Sequence, residues 1–313
     1  MDDLLARDLV VVTGKGGVGK STVAAALGLA AARRGRRTIV AEVARRDDVS
    51  RALGGTGVHA RPGAAGGGPG EDELAPGLHH LSIDPEDALD EYLVEQLPTR
   101  ALADALRGSR TFGLFAAATP GMRELLTVGK AWELAQPARR SPGADPYDLV
   151  VLDAPATGHG VAVLAAPRTF AEITRVGRVA RQGRTIDAML SDPARTGVVA
   201  VARPEEMPVT EALALEQAVR ATIGLDVGLV VANAVLPQRF SAADAAVLDA
   251  AADGGAPVRA ARAAHARARA QRSQLRRLRR HARAPVATLP LLPAPALGRD
   301  ELERLATALE AAL

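Results

Sequence analysis

Short apolar segments rich in valine alternate along the chain with longer segments rich in alanine and leucine. The apolar segments are typical of buried strands, and the longer segments favour helices. The strand-like segments cover residues 8–13, 38–41, 78–83, 147–152, 197–202, 228–232 and 285–289. Because strands that alternate with helices form parallel sheets, the pattern predicts an α/β fold with a doubly wound, mostly parallel sheet.

Three segments depart from this alternation. Residues 54–77 are rich in glycine, alanine and proline and show no hydrophobic period, which predicts a flexible loop. Residues 85–146 and 167–190 are mostly helix-favouring, and they add more chain than a plain α/β core uses. We therefore expect residues 1–313 to form a single domain into which a helical subdomain is inserted.

Composition narrows the possible chemistry. Hydrophobic residues make up 48% of the chain and aromatic residues only 2%, so the core must consist of aliphatic side chains. The chain has no cysteine, which excludes disulfides, cysteine-ligated zinc, iron–sulfur clusters and thiol catalysis. The sequence shows neither a basic, apolar leader nor a run of about 18 apolar residues, so we expect a cytoplasmic protein.

A glycine-rich segment joins the first predicted strand to the first predicted helix. Its residues are Gly14, Lys15, Gly16, Gly17, Val18, Gly19, Lys20, Ser21 and Thr22. They fit the phosphate-binding pattern G-x-x-x-x-G-K-[ST], in which glycines let backbone amides converge on phosphate oxygens. Lys20 is expected to neutralise phosphate charge, and the Ser21 hydroxyl to ligate Mg²⁺. The additional Lys15 gives the segment the form called a deviant Walker A.

Acidic residues end two of the predicted strands. Asp153 follows the fourth strand and Glu42 follows the second. Because ligands of open α/β sheets gather at the carboxyl ends of the strands, we expect Ser21, Glu42 and Asp153 to hold Mg²⁺. Asp153 would thereby act in catalysis together with Lys20. His159, in the small-residue loop after Asp153, either senses the γ-phosphate or a partner subunit, or only packs.

Three further features have two interpretations each. His79 and His80 belong either to a metal site or to a buried strand, and the lack of helically spaced ligands favours the strand. Lys130 either makes a specific contact or is a surface lysine that was retained by chance, and we favour the surface lysine. The acid-free, arginine-rich residues 259–283 form either a patch for nucleic acid or anionic lipid, or a solvated helix whose arginine stems cover the sheet. Because no aromatic residue is interleaved for base stacking, we favour the solvated helix.

These segments together resemble the ArsA-like ATPases, a family that includes the arsenite-pump ATPase and the ATPase that delivers tail-anchored membrane proteins. The resemblance covers nearly the whole chain except residues 54–77. It rests on T-G-K-G-G-V-G-K-S-T at 13–22, T-P-G at 119–121, Y-D-L-V-V-L-D-A-P-A-T-G-H at 147–159, V-A-N at 231–233 and L-P-L-L at 289–292. The first motif is shared with partition, septum-site and nitrogenase-reductase ATPases, whereas the later motifs point to the narrower family.

The resemblance implies ATP and Mg²⁺ as cofactors, and a homodimer or heterodimer that opens and closes with nucleotide. Lys15 would reach across the dimer interface to the partner's nucleotide and stabilise charge there during hydrolysis. Asn233 would contact the adenine, and Pro290 and Leu291 would line the base. The helical insertion would handle an unknown protein client. The arsenite and zinc sites of the family use cysteine, so neither is expected here.

The first switch of the family departs from its usual form. Family members usually carry Asp-Pro-Ala-His and then an aspartate that positions the attacking water, whereas this chain has Glu42 and then Arg51 at those places. Asp47 and Asp48 are two candidates for the missing aspartate. The sequence therefore predicts an ATPase with slow or partner-dependent turnover. The alternatives are an ATP-dependent interaction protein with little hydrolysis, or a partition-type ATPase that binds DNA or membrane through residues 259–283.

Overall fold

The structure, a computed structural model, describes residues 4–43, 46–55, 70–96, 99–107, 119, 121–141, 143–156, 159–251 and 254–313. One eight-stranded sheet forms its centre. The strands are β1 (Leu9–Gly14), β2 (Thr38–Val43), β3 (Asp72–Ala75), β4 (Leu78–Ile83), β5 (Leu149–Asp153), β6 (Thr196–Ala202), β7 (Leu229–Val235) and β8 (Val286–Pro290). Their order is β3-β4-β2-β5-β1-β6-β7-β8, and all neighbours are parallel except β3 and β4. The predicted α/β fold with a doubly wound, mostly parallel sheet is confirmed.

Helices connect the parallel strands. In the described part of the chain they are α1 (Lys20–Arg33), α2 (Asp48–Ala52), α3 (Pro85–Gln96), α4 (Arg100–Arg107), α5 (Met122–Leu134), α6 (His159–Thr174), α7 (Gly177–Leu190), α8 (Glu206–Ile223), α9 (Ala242–Ala250), α10 (Gly255–His281) and α11 (Arg299–Glu310). Helices α3 to α5 lie between β4 and β5 in the chain, which is where the insertion was expected.

Both faces of the sheet are covered, because alternate residues of each strand point to opposite sides. Along β1, Leu9 and Val11 pack against α5, α6, α7 and α8, whereas Val10 and Val12 pack against α1 and α11. All six residues of β1 are buried. The central strands therefore need apolar residues at every position, which explains the continuous valine runs of the sequence.

The predicted loop at 54–77 differs from the structure in part. Residues 72–75 form β3, an edge strand that pairs antiparallel with β4 across a short turn. The segment has no β-branched residue, so its strand conformation depends on backbone pairing with β4 rather than on its own propensity. Residues 56–69 of the predicted loop lie outside the described residues.

The predicted helical segment 167–190 also differs from the structure. It consists of parts of two helices. Helix α6 begins at His159 and continues through Pro167, and Arg175, with a φ of 53°, then separates it from α7. Proline lacks one backbone donor, which marks a break in the sequence pattern. The helix nevertheless continues because neighbouring elements bury its apolar face, and tertiary packing supplies most helical stability.

Among the described residues, none of the helices combines the length and the apolarity that crossing a membrane requires.

Candidate nucleotide-binding site

The glycine-rich segment lies at the carboxyl end of β1 and leads directly into α1. At two positions of the segment a neighbouring residue lies so close to the backbone that only glycine, which has no Cβ, fits. Gly14 has a φ of 150°, and a Cβ there would lie 2.3 Å from the backbone oxygen of Val201 on β6. Gly19 has a φ of 91°, and a Cβ there would lie 2.2 Å from Nδ2 of Asn233. The loop is therefore held tightly between β6 and β7.

Lys20 is the first residue of α1 and is only 7% exposed. Its Nζ donates a hydrogen bond of 3.2 Å to the backbone oxygen of Lys15, so the side chain folds back over the glycine loop. Burial lowers the pKa of Lys20, although the nearby carboxylate of Asp153 opposes this shift. A lysine held in this position presents its charge to whatever the loop encloses.

Ser21 and Asp153, predicted from separate motifs, come together at this loop. The Ser21 hydroxyl donates to Asp153 Oδ2 over 2.6 Å. Asp153 is fully buried at the end of β5, and its Oδ1 has no hydrogen-bond partner among the described residues. Burial raises the pKa of Asp153 to about 6, against the opposing effects of Ser21 and Arg46. The pair offers hydroxyl and carboxylate oxygens, which are the ligands that Mg²⁺ takes in proteins.

Arg46 is a site residue that the sequence analysis missed. Its Nη2 donates to Ser21 Oγ and to Asp48 Oδ2, each over 2.7 Å, and its Nη1 lies 3.7 Å from Asp153 Oδ2. The guanidinium thus stands against the same oxygens that were expected to hold the metal. The only available signal was local, namely an arginine pair shortly after β2 in a segment where the family carries other residues.

Asp47 and Asp48, the two candidates for positioning the attacking water, are both ion-paired. Asp47 Oδ1 lies 2.8 Å from Nε of Arg51. Asp48 accepts from Arg46, and its Oδ1 accepts from Nη2 of Arg51 over 2.7 Å. The hydrogen bond from Arg46 is the main reason that the pKa of Asp48 is lowered. Both carboxylates are therefore restrained by arginine side chains in this conformation.

Glu42 lies beside Asp153, since the two residues are paired in register on β2 and β5. Its Oε2 accepts from the backbone amide of Val49, over 2.8 Å, and contacts Nε2 of His80 at 2.9 Å. Its Oε1 is buried without a partner among the described residues. The carboxylate predicted to ligate the metal therefore has one oxygen engaged with α2 and β4.

The histidine pair lies on β4, as the strand interpretation predicted. His79 is buried, and its ring packs edge-on against Tyr147 with a centroid distance of 5.2 Å. His80 is buried against Glu42. Within the described ranges, no three histidine, aspartate or glutamate side chains are grouped so that they would share a metal ion.

Lys15 makes a contact within its own chain. Its Nζ lies 2.6 Å from Oε1 of Glu211, on α8, and both side chains are about one-third exposed, at 38% and 31%. The lysine that was predicted to reach a partner subunit is thus held beside the glycine-rich loop of its own chain. Glu211 was not predicted as a site residue, because it lies 196 residues away along the chain.

Asn233 and the predicted base-lining residues lie on the far side of the loop. Asn233 Nδ2 donates to the backbone oxygen of Val18 over 2.9 Å, and its Oδ1 accepts from the amide of Ala234. Pro290 ends β8, and Leu291 lines a cavity of about 350 Å³ between the carboxyl ends of β7 and β8 and helix α10. The cavity wall includes further apolar residues, namely Leu236, Pro237, Phe240 and Pro293.

Lys130 is not a surface lysine, so the interpretation that we favoured from the sequence is wrong. Its side chain is 12% exposed, and its Nζ lies 2.8 Å from Glu91 and 3.2 Å from Glu133. Glu133 is itself 1% exposed and also contacts Arg139. Lys130 therefore belongs to a buried ionic network that joins α3 to α5.

Comparison of the sequence with known proteins identifies the family. The sequence model of the family described as anion-transporting ATPase matches residues 7–182 and 170–311. ATPase BagA of Mycobacterium tuberculosis is 31% identical over 243 residues, which cover 76% of this chain and 68% of that protein. The arsenical pump-driving ATPase of Acidiphilium multivorum is 27% identical over 262 residues, which cover 74% of this chain and 40% of that protein. This chain belongs to the ArsA-like family of anion-transporting ATPases.

Proposed function

We propose that this protein binds and hydrolyses ATP with Mg²⁺ and that it works as a nucleotide-gated dimer. The observation that carries the proposal is the meeting of Lys20, Ser21 and Asp153 beneath the glycine loop. These residues come from α1 and β5, and Ser21 and Asp153 are joined by a hydrogen bond of 2.6 Å. Such a group at the end of a parallel strand is suited to a nucleoside triphosphate and its metal.

The loop and Lys20 would hold the phosphates. Backbone amides between Gly14 and Lys20 would donate to the phosphate oxygens, and the amino-terminal end of α1 would add its positive dipole. Lys20 would place its ammonium between the β- and γ-phosphates, where negative charge grows during attack by water. Positioning and electrostatic stabilisation would thus supply most of the rate enhancement.

Ser21 and Asp153 fit a magnesium ion because the hydroxyl lies 2.6 Å from Asp153 Oδ2, and because Asp153 Oδ1 has no hydrogen-bond partner among the described residues. When bound, the metal would neutralise phosphate charge and orient the γ-phosphate. We assign Glu42 to a supporting role, since its carboxylate holds the amide of Val49 and thereby fixes α2 behind the metal position. Asp47 or Asp48 would orient the attacking water once its ion pairs open.

The dimer would couple nucleotide to a client. Lys15 would leave Glu211 and reach the nucleotide bound to a partner subunit, either a second copy or a related chain. The ion pairs that restrain Asp47 and Asp48 favour slow turnover until such a partner arrives. If the pairs never open, the protein would act as an ATP-dependent interaction protein with little hydrolysis.

Calorimetry and a steady-state phosphate-release assay test the proposal. The wild type should bind ATP with Mg²⁺ and release phosphate, and Lys20→Ala should lose detectable binding. Arg304→Ala, an exposed position on α11, is the control and should behave like the wild type. Well-folded protein that binds no ATP with Mg²⁺, alone or with a related subunit, would overturn the proposal. Binding without turnover under every condition would favour the interaction protein.

The outer face of α10 favours an additional function, which is binding of a nucleic acid backbone. Arg262, Arg269 and Arg276 are exposed and recur every seven residues, or about 10 Å along a helix. Arg262 pairs with Asp249 at 3.1 Å, whereas the described residues include no carboxylate partner for the other two. The buried residues of α10 face the protein, so no apolar face is left to insert into lipid. A duplex fits this surface better than a membrane.

Fluorescence anisotropy with a short labelled DNA duplex tests this second function. The wild type should bind in a salt-sensitive manner, and Arg269→Glu with Arg276→Glu should weaken binding about tenfold or more. Arg304→Glu, on another helix, makes the same change of charge as either single substitution and should weaken binding less than either of them alone. Binding to anionic vesicles but not to the duplex would reassign the surface to membranes, and binding to neither would remove the function.

A further inference from the structure

Arg46 occupies the place where the proposed metal would bind. Its Nη2 is 2.7 Å from Ser21 Oγ, and its Nη1 is 3.7 Å from Asp153 Oδ2. We propose that Arg46 is an internal cation that fills the magnesium position in the nucleotide-free protein, and that arrival of Mg²⁺ with nucleotide expels it and releases Asp48. The inference rests on the proposed function, because it assigns the same oxygens to the metal.

The need for a cation at this point follows from burial. Asp153 and its in-register neighbour Glu42 are both fully buried. A buried carboxylate that lacks a partner costs several kilocalories per mole, so a positive group is required when no metal is bound. Lys20, which is 7% exposed, supplies part of this charge, and Arg46, whose side chain is 39% exposed, supplies more from a less buried position. A planar guanidinium with five donors serves two carboxylates and a hydroxyl at once.

Arg46 and the metal exclude each other. Magnesium binds oxygen at about 2.1 Å, and here the oxygen of Ser21 already accepts a hydrogen bond from Arg46 while it donates to Asp153. A guanidinium and a magnesium ion that contact the same oxygens are both positive, so they would also repel each other strongly. The guanidinium must therefore move before Ser21 is free to ligate the metal.

Movement of Arg46 changes the first switch. Arg46 holds Oδ2 of Asp48 through two hydrogen bonds, from Nη2 over 2.7 Å and from Nε over 3.1 Å. Asp48 is the first residue of α2, whose next amide is anchored by Glu42. When Arg46 leaves Ser21, the bridge between the metal position and Asp48 is broken. Arg46 is thus a positioning residue through which metal binding controls a candidate water-orienting carboxylate.

Binding of Mn²⁺ to the nucleotide-free protein, followed by electron paramagnetic resonance, tests the exclusion directly. Arg46→Ala should bind Mn²⁺ about tenfold more tightly than the wild type, which is the equivalent of removing one hydrogen bond to a charged group. Arg51→Ala is the matched control, because it removes the other arginine of Asp48 without touching Ser21 or Asp153. It should leave Mn²⁺ affinity unchanged.

Equal Mn²⁺ affinity in wild type and Arg46→Ala, with normal binding of ATP and Mg²⁺, would overturn this inference and leave the proposed function intact. If the wild type itself bound no ATP with Mg²⁺, the proposed function would instead be rejected. A second measurement covers the case in which Arg46→Ala does not fold. In the wild type, amide hydrogen exchange across 46–53 should rise with ATP and Mg²⁺ but not with ATP and a chelator. Identical exchange in both conditions would contradict the inference.

Discussion

Lys15 Nζ lies 2.6 Å from Glu211 Oε1, so the lysine proposed to serve a partner's nucleotide is paired with a carboxylate of its own chain. The pair is partly exposed, and such pairs contribute at most about 1 kcal/mol. A contact this weak is enough to orient the Lys15 side chain at rest. A triphosphate, with its larger negative charge, would replace Glu211 as the partner of Lys15. Glu211 thereby acts as a resting partner whose removal should be measurable.

Replacing Glu211 by Gln should release Lys15. We expect the free energy of unfolding to fall by less than about 1 kcal/mol, because the lost pair is partly exposed. ATP-dependent dimerisation should strengthen up to about fivefold, the equivalent of the same free energy. Analytical ultracentrifugation with ATP measures the effect. Glu206→Gln, an exposed position on α8, is the control, and equal dimer affinity in both variants would remove the resting role of Glu211.

Replacing Lys15 by Ala should separate binding from turnover. Lys20 and the loop amides remain, so affinity for ATP with Mg²⁺ should stay within about threefold of the wild type. Phosphate release should fall to background if Lys15 stabilises charge on the partner's γ-phosphate. Calorimetry and phosphate release on the same preparations measure the two quantities. Normal turnover in this variant would refute the cross-dimer role.

Asp153 should make stability depend on pH in the absence of metal. Its pKa of about 6 lies above its ordinary value of 3.8, so the folded state binds the proton more tightly than the unfolded state. The folded protein should therefore lose stability as the pH rises from about 4 to about 6, by an amount on the order of 2–3 kcal/mol. Urea unfolding at pH 4.5 and pH 7.5 in chelator measures this loss.

Asp153→Asn should abolish much of that pH dependence, because asparagine does not titrate. The variant should gain stability relative to the wild type at pH 7.5 and should lose Mg²⁺-dependent ATP affinity. An unchanged pH profile in Asp153→Asn would show that another group is responsible.

Two glycines of the loop should differ in their tolerance of alanine. Gly14→Ala would place a Cβ 2.3 Å from the backbone oxygen of Val201, so we expect a loss of about 2–4 kcal/mol. Gly17 has a φ of 79° but no atom within 4 Å of a Cβ, so Gly17→Ala should cost only the backbone strain, about 1–2 kcal/mol. Urea denaturation of the two variants compares them. Equal losses would mean that the close approach to β6 is relieved by a small shift.

Lys130→Met should destabilise the helices that surround it. Burial would raise the pKa of Glu133, yet Lys130 and Arg139 help to hold it below its ordinary value of 4.5. Removing Lys130 takes away one positive partner of this buried carboxylate. We expect the free energy of unfolding to fall by about 3 kcal/mol near neutral pH. The difference from the wild type should shrink as the pH falls through the pKa of Glu133, which loss of Lys130 raises in the variant and which lies below 4.5 in the wild type.

Chemical denaturation at two pH values measures the role of Lys130. Arg304→Met removes an exposed charge and is the control. Adding Glu133→Gln to Lys130→Met should recover part of the loss, since the unpaired charge is then gone. A loss below about 1 kcal/mol for Lys130→Met would mean that water reaches Glu133.

The sequence by itself determined the sheet, the glycine-rich loop after its first strand, and the position of Ser21 and Asp153 at one edge of the sheet. These features depend on local patterns, because strand and helix periods, glycine spacing and the residue at a strand end are all read over a few neighbouring positions. Asp153 met Ser21 as expected, since both lie at the carboxyl edge of adjacent strands in a parallel sheet. The edge strand β3 was missed because its residues have no strand propensity and pair only through the backbone.

Only the tertiary structure decided which charges face one another. Arg46 reaches Ser21 and Asp153, Lys15 reaches Glu211, and Lys130 reaches Glu91, and the partners in each of these pairs lie far apart in the sequence. The physical reason is that the partners are brought together by the packing of separate elements. The chain contains 75 charged side chains, 39 basic and 36 acidic, so composition cannot select the pairs. Long, flexible side chains take the partner that the packed fold places within reach.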